Sequence, residues 1–352
     1  MKKNKLIVVG AINEGGVATC GETIKNQLFV KRFKELFDEV ITVDTLHWQK
    51  RPWVLVRLFF VLLFNRGAKV VISASGAASY LISFLHYIPL KKHVYFWVVG
   101  GDFHLTARTK RYNLKALASL KAILVEGKSM VTALNECGLT NVLYVPNAKP
   151  ITFTPRLTPK KEDELCRFVF LSRVHPHKGI REICEAVETL NKTGWADRYI
   201  VDFYGRVEPD YQAEFQALIA NYPQVAYRGF LDLTKTEGYQ TLSTYDALLF
   251  PTYWDGEGFP GVVLDANMAG LPIIATDWNL NKEVVEAGVT GFIIPVHDSQ
   301  ALADCMLKFI REEVDLMSMK QRCVDYIQQY DVKNVLSIDL MRRIGALSQN
   351  IC

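Results

Sequence analysis

Residues Pro251–Thr276 read PTYWDGEGFPGVVLDANMAGLPIIAT. An apolar run, Ala247-Leu248-Leu249-Phe250, precedes the stretch and stops at Pro251, as a strand would. Next comes a loop with three glycines, Gly256, Gly258 and Gly261, and two carboxylates, Asp255 and Glu257. From Val262 to Ala269 the pattern is helical. Gly270 suits the position just past a helix end, and Leu271-Pro272 leads into a second strand, Ile273-Ile274-Ala275. Strand, glycine loop, helix, strand is one unit of an open parallel sheet. Such sheets hold ligands at the carboxyl ends of their strands. A helix start after a glycine loop offers backbone N–H groups to an anion. Glu257 and Asp265, eight residues apart, repel phosphate but accept hydrogen bonds from hydroxyls, which sugars supply. Phosphate donors beside hydroxyl acceptors point to a nucleotide-sugar.

The order EGFPG, an acid eight residues after its Glu, A-x-x-A-G-L-P-I-I-A-T, Glu283 and G-x-x-G-F-I-I-P from Gly288 to Pro295 resembles the E-x7-E region of retaining nucleotide-sugar glycosyltransferases (glycosyl transferases group 1). Asp265 stands where most of that family has Glu, keeping the charge on a chain one methylene shorter. Some members that build surface polysaccharides share this variation. The resemblance implies an α/β protein of GT-B fold, with two Rossmann-like domains facing a cleft. Residues 1–155 would bind acceptor and residues 156–330 the nucleotide-sugar. A helix within 331–352 would cross back onto the first domain.

The length of 352 residues accommodates two domains with ample core. An apolar fraction of 49% and a charged fraction of 22% are those of an ordinary globular protein. Seven scattered cysteines without a CxxC read as reduced thiols of a cytoplasmic protein. Lys2, Lys3 and Lys5 precede an apolar run too short for a signal peptide. Charge is uneven: residues 1–155 hold 21 Lys+Arg against 9 Asp+Glu, and residues 156–352 hold 20 against 28. Thr45 to Gly101 has no acid at all. The basic half implies an anionic partner. No nucleic-acid motif sits there, which leaves an anionic membrane. The absence of a G-x-G-x-x-G after the first strand argues against a dehydrogenase.

In chain order, Leu6–Gly10 reads as a first strand and Ala11–Gly16 as its loop, with a helix from about Thr19 to Phe37. Gly15-Gly16 admits a diphosphate or acceptor, and a tight βα turn explains the pair as well. The resemblance puts this loop at the interdomain cleft. Trp48 to Arg66 has two readings. Its apolar run, Val54 to Phe64, is eleven residues against the roughly 20 of a membrane span and favours a buried crossover helix. Its Trp48, Trp53, Lys50, Arg51, Arg57 and Arg66 suit an interfacial segment. Asp102 and His104 follow the core strand Val94–Val99 and Gly100-Gly101. His104 is either a solvated loop residue or a polar group aimed at the donor sugar or acceptor; the resemblance implies a His near the donor sugar's hydroxyls. Lys149 to Glu164, with Pro150, Pro155 and Pro159, reads as a linker.

The second half opens with Phe168–Leu171 and a basic loop in which Arg173 and Lys178 lie five apart, close enough to converge on one diphosphate. They are similar to the family's R-x4-K pair, which holds the donor's phosphates. His175 and His177 read as loop residues, since no further metal ligand is near. The resemblance implies base contacts at Gly205 and Phe230, although packing explains Phe230 equally well. It also places Gly258, Phe259, Gly261 and Val262 around the donor, Glu257 on the sugar hydroxyls and Asp265 on the ribose. Helices follow from about Ser299 to Ile310, Val314 to Gln328 and Val332 to Leu347.

With these residues, the resemblance implies a retaining hexosyltransferase that moves sugar from a UDP- or GDP-linked donor to a glycan or polyprenyl-diphosphate-linked acceptor. The setting would be capsular, exo- or O-polysaccharide synthesis, peripheral to the inner face of the plasma membrane. With no D-x-D present, cationic side chains would replace a metal on the diphosphate, and no cofactor is needed. The rivals are a nucleotide-sugar hydrolase or epimerase on the same fold, and a non-catalytic nucleotide-sugar-binding subunit.

Overall fold

The computed structural model describes residues 4–16, 21–86, 93–100, 102–109, 112–161 and 164–347. The expected helix start near Thr19 and the glycine Gly101 lie outside them. The chain divides into two compact units: residues 1–150 with 331–352, and residues 151–330.

The first unit is a parallel sheet of β1 (Lys5–Gly10), β2 (Glu39–Asp44), β3 (Lys69–Ala74), β4 (His93–Val98), β5 (Ala122–Val125) and β6 (Val142–Tyr144). Its strand order is β2-β1-β3-β4-β5-β6. The strands are apolar on both faces because helices cover both, as parallel sheets require. The helix α1 (Gly21–Leu36) packs Phe29 and Phe33 on Trp97 of β4.

The segment after Tyr330 completes this unit rather than the second one. Val332 N–H donates to Lys149 O at 3.0 Å, and Tyr95 Oη donates to Ile344 O at 3.1 Å. Val335, Leu336, Leu340 and Met341 join the core of Leu6, Phe29 and Trp97. The single final helix expected from Val332 to Leu347 is instead two short ones, Val332–Val335 and Ile338–Arg343. Ser337 breaks the run: its side chain caps the second helix by accepting the Leu340 N–H at 3.1 Å. The preceding helix is likewise shorter than its apolar pattern, Leu316–Tyr326, and closes in a 3-10 turn, Ile327–Tyr330.

The helix α2 (Trp53–Phe64) corrects the reading of a buried crossover helix. Only Val54, Leu58 and Leu62 are buried, a single stripe four residues apart. Trp53, Leu55, Val56, Phe59, Phe60 and Phe64 are exposed.

The second unit is a parallel sheet of β7 (Cys166–Leu171), β8 (Tyr199–Tyr204), β9 (Val225–Tyr227), β10 (Ala247–Phe250), β11 (Ile273–Thr276) and β12 (Gly291–Ile294). Its order is β12-β11-β10-β7-β8-β9. The chain runs outward from β7 through β8 to β9, then returns to lay β10 on the other side of β7. The strand order therefore reverses between β7 and β10, the place where open α/β sheets bind ligands. The helix Ile180–Lys192 buries Ile180, Ile183, Val187 and Leu190, spaced as one helical face. The helix Ser299–Ile310, capped by Asp298 through the Ala301 N–H at 2.8 Å, closes the same core.

Candidate active site

The register Ala247↔Phe168 and Leu248↔Val169 sets the carboxyl ends of β7 and β10 side by side. The loop after β7 carries Arg173 and Lys178, and the loop after β10 carries Glu257. Residues 79 apart in sequence thereby meet. Two glycines permit the close packing of these loops. Gly179 has φ +79°, and a Cβ there would lie 2.3 Å from Pro251 O. Gly205, at φ +138°, would put a Cβ 1.7 Å from Ser172 O. Only a residue without a side chain fits either place.

Lys178 Nζ donates to Glu257 Oε2. Both side chains are largely withdrawn from water, at 6% and 15% exposure. Burial pulls the Lys178 pKa below its ordinary value, Glu257 pushes back, and nearby Arg173 adds to the lowering. Thr252 Oγ1, fully buried, donates to the same Glu257 oxygen at 3.4 Å. Asn279 Nδ2 fastens the Glu257 carbonyl at 2.8 Å, and Trp278 Nε1 fastens that of Trp254 at 2.8 Å. The glycine loop is thus anchored to the turn after β11. Arg173 bonds Glu208 at 3.2 Å from the loop after β8. Its guanidinium lies 5.1 Å from the Trp254 ring centre, and Lys178 Nζ lies 5.8 Å from the same ring. The indole ring attracts both cations and holds them together against their mutual repulsion. The motif alone does not single out Trp254 or Glu208. Glu208 comes from a different loop, and Trp254 reads simply as an aromatic in a glycine turn.

Asp265 sits one turn into the helix Gly261–Met268 and is buried. Its Oδ1 accepts the Tyr239 hydroxyl at 2.6 Å, and Tyr239 in turn stacks on Phe153. Burial, then the Asp265 charge, drives the Tyr239 pKa upward. Tyr239 had no sequence signal, because its helix, Thr236–Ser243, reaches Asp265 only through packing. Phe259 is buried against Tyr330 and anchors the glycine loop, with ring centres 5.4 Å apart. Gly258, Gly261 and Val262 stay partly open at the helix start. Gly205 O accepts the Tyr227 hydroxyl at 2.9 Å. Phe230 is 76% exposed, which removes the reading of it as packing.

In the first unit, Gly15 and Gly16 are exposed on a loop held by its neighbours. Asp44 accepts the N–H groups of Ile12 and Glu14 at 3.0 and 3.1 Å, and Gln27 donates to the Ile12, Asn13 and Gly16 carbonyls. Burial raises the Asp44 pKa, but these amides outweigh it and hold the carboxyl low. His104 is not a loop residue: it lies half-buried in the helix Phe103–Arg108, with exposed Asp102 at its start. A buried ion pair that the sequence did not reveal, Lys25–Glu126, joins α1 to the end of β5.

The family model for glycosyl transferases group 1 matches residues 155–330, half of the chain. The chain belongs to that family. This group 1 chain is 29% identical over 158 residues to an amylovoran biosynthesis glycosyltransferase of Erwinia amylovora. That match covers 43% of this chain and 37% of the relative, so well under two thirds of the relative's length is represented. Two solved structures share the fold along nearly the whole chain. Sucrose-phosphate synthase from Thermosynechococcus elongatus has a TM-score of 0.74 at 13% identity, covering 96% of this chain and 98% of its own. Anabaena Alr3699/HepE in complex with UDP has a TM-score of 0.72 at 15% identity, covering 97% and 100%. The group 1 chain therefore has the GT-B fold expected of it.

Proposed function

We propose that this protein transfers a hexose, with retention, from a UDP- or GDP-linked donor to a glycan or polyprenyl-diphosphate-linked acceptor. The observation that carries the reading is the gathering of Lys178, Arg173 and Trp254 around Glu257 where the strand order reverses. In this reading the donor's diphosphate lies against Lys178, Arg173 and the amides at Gly261 and Val262. As the bond from the anomeric carbon to phosphate oxygen breaks, its electron pair goes to the phosphate. Cations fixed beforehand stabilise that charge without reorganising. The acceptor oxygen forms the new bond and gives up its proton to the departing phosphate. Glu257 Oε2 holds Lys178, and its other oxygen takes hydroxyls of the donor sugar. Asp265, set by Tyr239, takes the ribose, while Gly205 and Phe230 flank the base. Gly15 and Gly16 serve the diphosphate or the acceptor, and His104 the donor sugar or the acceptor.

The UDP named with the Anabaena structure and the amylovoran pathway named with the Erwinia relative support a nucleotide-sugar donor and a polysaccharide product. The basic first unit supports an anionic, lipid-linked acceptor at the inner face of the plasma membrane. Lys178 and Arg173 supply the positive charge, so the reaction needs no metal. The test is a thermal-shift screen of nucleotide-sugars, then transfer assays with the best ligand with and without EDTA. We expect stabilisation by one donor class and transfer unaffected by EDTA. Absence of stabilisation by every UDP- and GDP-sugar, or transfer that stops in EDTA and returns with Mg²⁺, would refute the respective part.

A further inference from the structure

The helix α2 presents to solvent the kind of surface that most helices hide. Beside its buried stripe of Val54, Leu58 and Leu62, only Val61 and Leu63 are partly covered, and the other residues of the helix are exposed. Trp53 is 61% exposed, Val56 57% and Phe64 77%, with Leu55, Phe59 and Phe60 beside them. Phe60 and Phe64, one turn apart, stack at 6.0 Å into an outward ridge. Trp48, in the 3-10 turn just before, is also exposed. A surface helix ordinarily turns charged residues outward. Here the single charged residue in α2 is Arg57, and its guanidinium reaches back to Thr42 O at 3.2 Å. A contiguous apolar face of this kind marks a contact surface.

We infer that α2 docks this unit on an anionic lipid bilayer, lying in the plane of the interface. The charges around the helix select that occupant. Lys50 and Arg66, both exposed, stand at its two ends, and residues 45–86 carry five Lys/Arg and no Asp/Glu. A second copy of the chain meeting this face about a two-fold axis would set those cations against themselves. Anionic head groups attract them, while the aromatic ridge enters the acyl boundary. Twelve residues of helix extend about 18 Å, too short to cross a bilayer. No helix among the described residues is long and apolar enough to cross. The inference rests on the peripheral location proposed above and not on the transfer chemistry.

The test is flotation of the full chain with vesicles of phosphatidylcholine alone or with about 30% phosphatidylglycerol. We expect the wild type to float with the anionic vesicles, and F60S/F64S to lose about tenfold or more in partition. K50E/R66E should lose the preference for anionic lipid. Both phenylalanines are exposed, so their change leaves the core intact. Quenching of wild-type tryptophan fluorescence by brominated lipid, reduced in W53F, reads the same contact without altering the ridge. Failure of the wild type to bind anionic vesicles, or binding indifferent to both double variants with no quenching, would overturn the inference. So would a wild-type dimer that ignores vesicles and that F60S/F64S splits. Normal sugar transfer without flotation sinks the docking surface and the peripheral location but not the transferase reading; flotation without transfer sinks the transferase reading alone.

Discussion

Glu257→Gln tests the site through the proton on Lys178. In the free protein the lysine is pulled below its ordinary value of 10.5 by burial and held up partly by Glu257. The exposures of 6% and 15% take this pair out of the screened surface class, where such pairs contribute about 0–1 kcal/mol. A hydrogen bond to a charged group contributes about 1.5–3 kcal/mol. Gln keeps an acceptor oxygen but loses the charge, so roughly half of that is lost. At about 1.4 kcal/mol per pH unit, the Lys178 pKa should fall by about one unit. Transfer in our reading needs Lys178 charged, so activity is lost as pH rises through that pKa. The assay is kcat/KM for the donor against pH, which reports the free enzyme. We expect the alkaline limb of Glu257→Gln about one unit lower than that of the wild type. Lys178→Arg, whose guanidinium does not titrate in this range, should lose the Lys178 limb. One alkaline limb at the same pH in all three proteins would refute the role assigned to Lys178, whatever the absolute rates.

Four further outcomes follow from the geometry. Lys178→Met should cost about 10²–10³ in kcat. Arg173→Ala, removing a half-exposed cation, should cost less, chiefly in donor KM, and a steady-state comparison of the two variants checks the ranking. Gly205→Ala meets both a φ of +138° and the Ser172 carbonyl; we expect at least about 2 kcal/mol of lost stability by denaturant titration. Tyr239→Phe leaves buried Asp265 without the hydroxyl bond and should destabilise by about 1–3 kcal/mol while weakening UDP binding in calorimetry.

Much of the site could be read because its elements are local. A strand ending at a proline, a glycine loop and a capped helix all announce themselves within a few residues, so Glu257, Gly258 and Gly261 stand out without coordinates. Side chains that arrive from elsewhere do not. Trp254 matters because two cations from another loop lie over it. Glu208 and Tyr239 come from the loop after β8 and from a separate helix. The final helix was overextended because apolar spacing continues through Ser337, and only its bond to the Leu340 N–H reveals the break. The apolar α2 read as core because hydrophobicity counts what a segment contains and not what covers it.

By itself the sequence determined the alternation of strand and helix, the glycine loop and the chemistry of its acids and cations. These depend on backbone preferences and side-chain types within a short span. Tertiary structure decided which loops meet, because strand pairing between β7 and β10 is a long-range choice invisible to local pattern. It also decided that α2 faces water on most of its surface, since exposure is a property of neighbours rather than of residues.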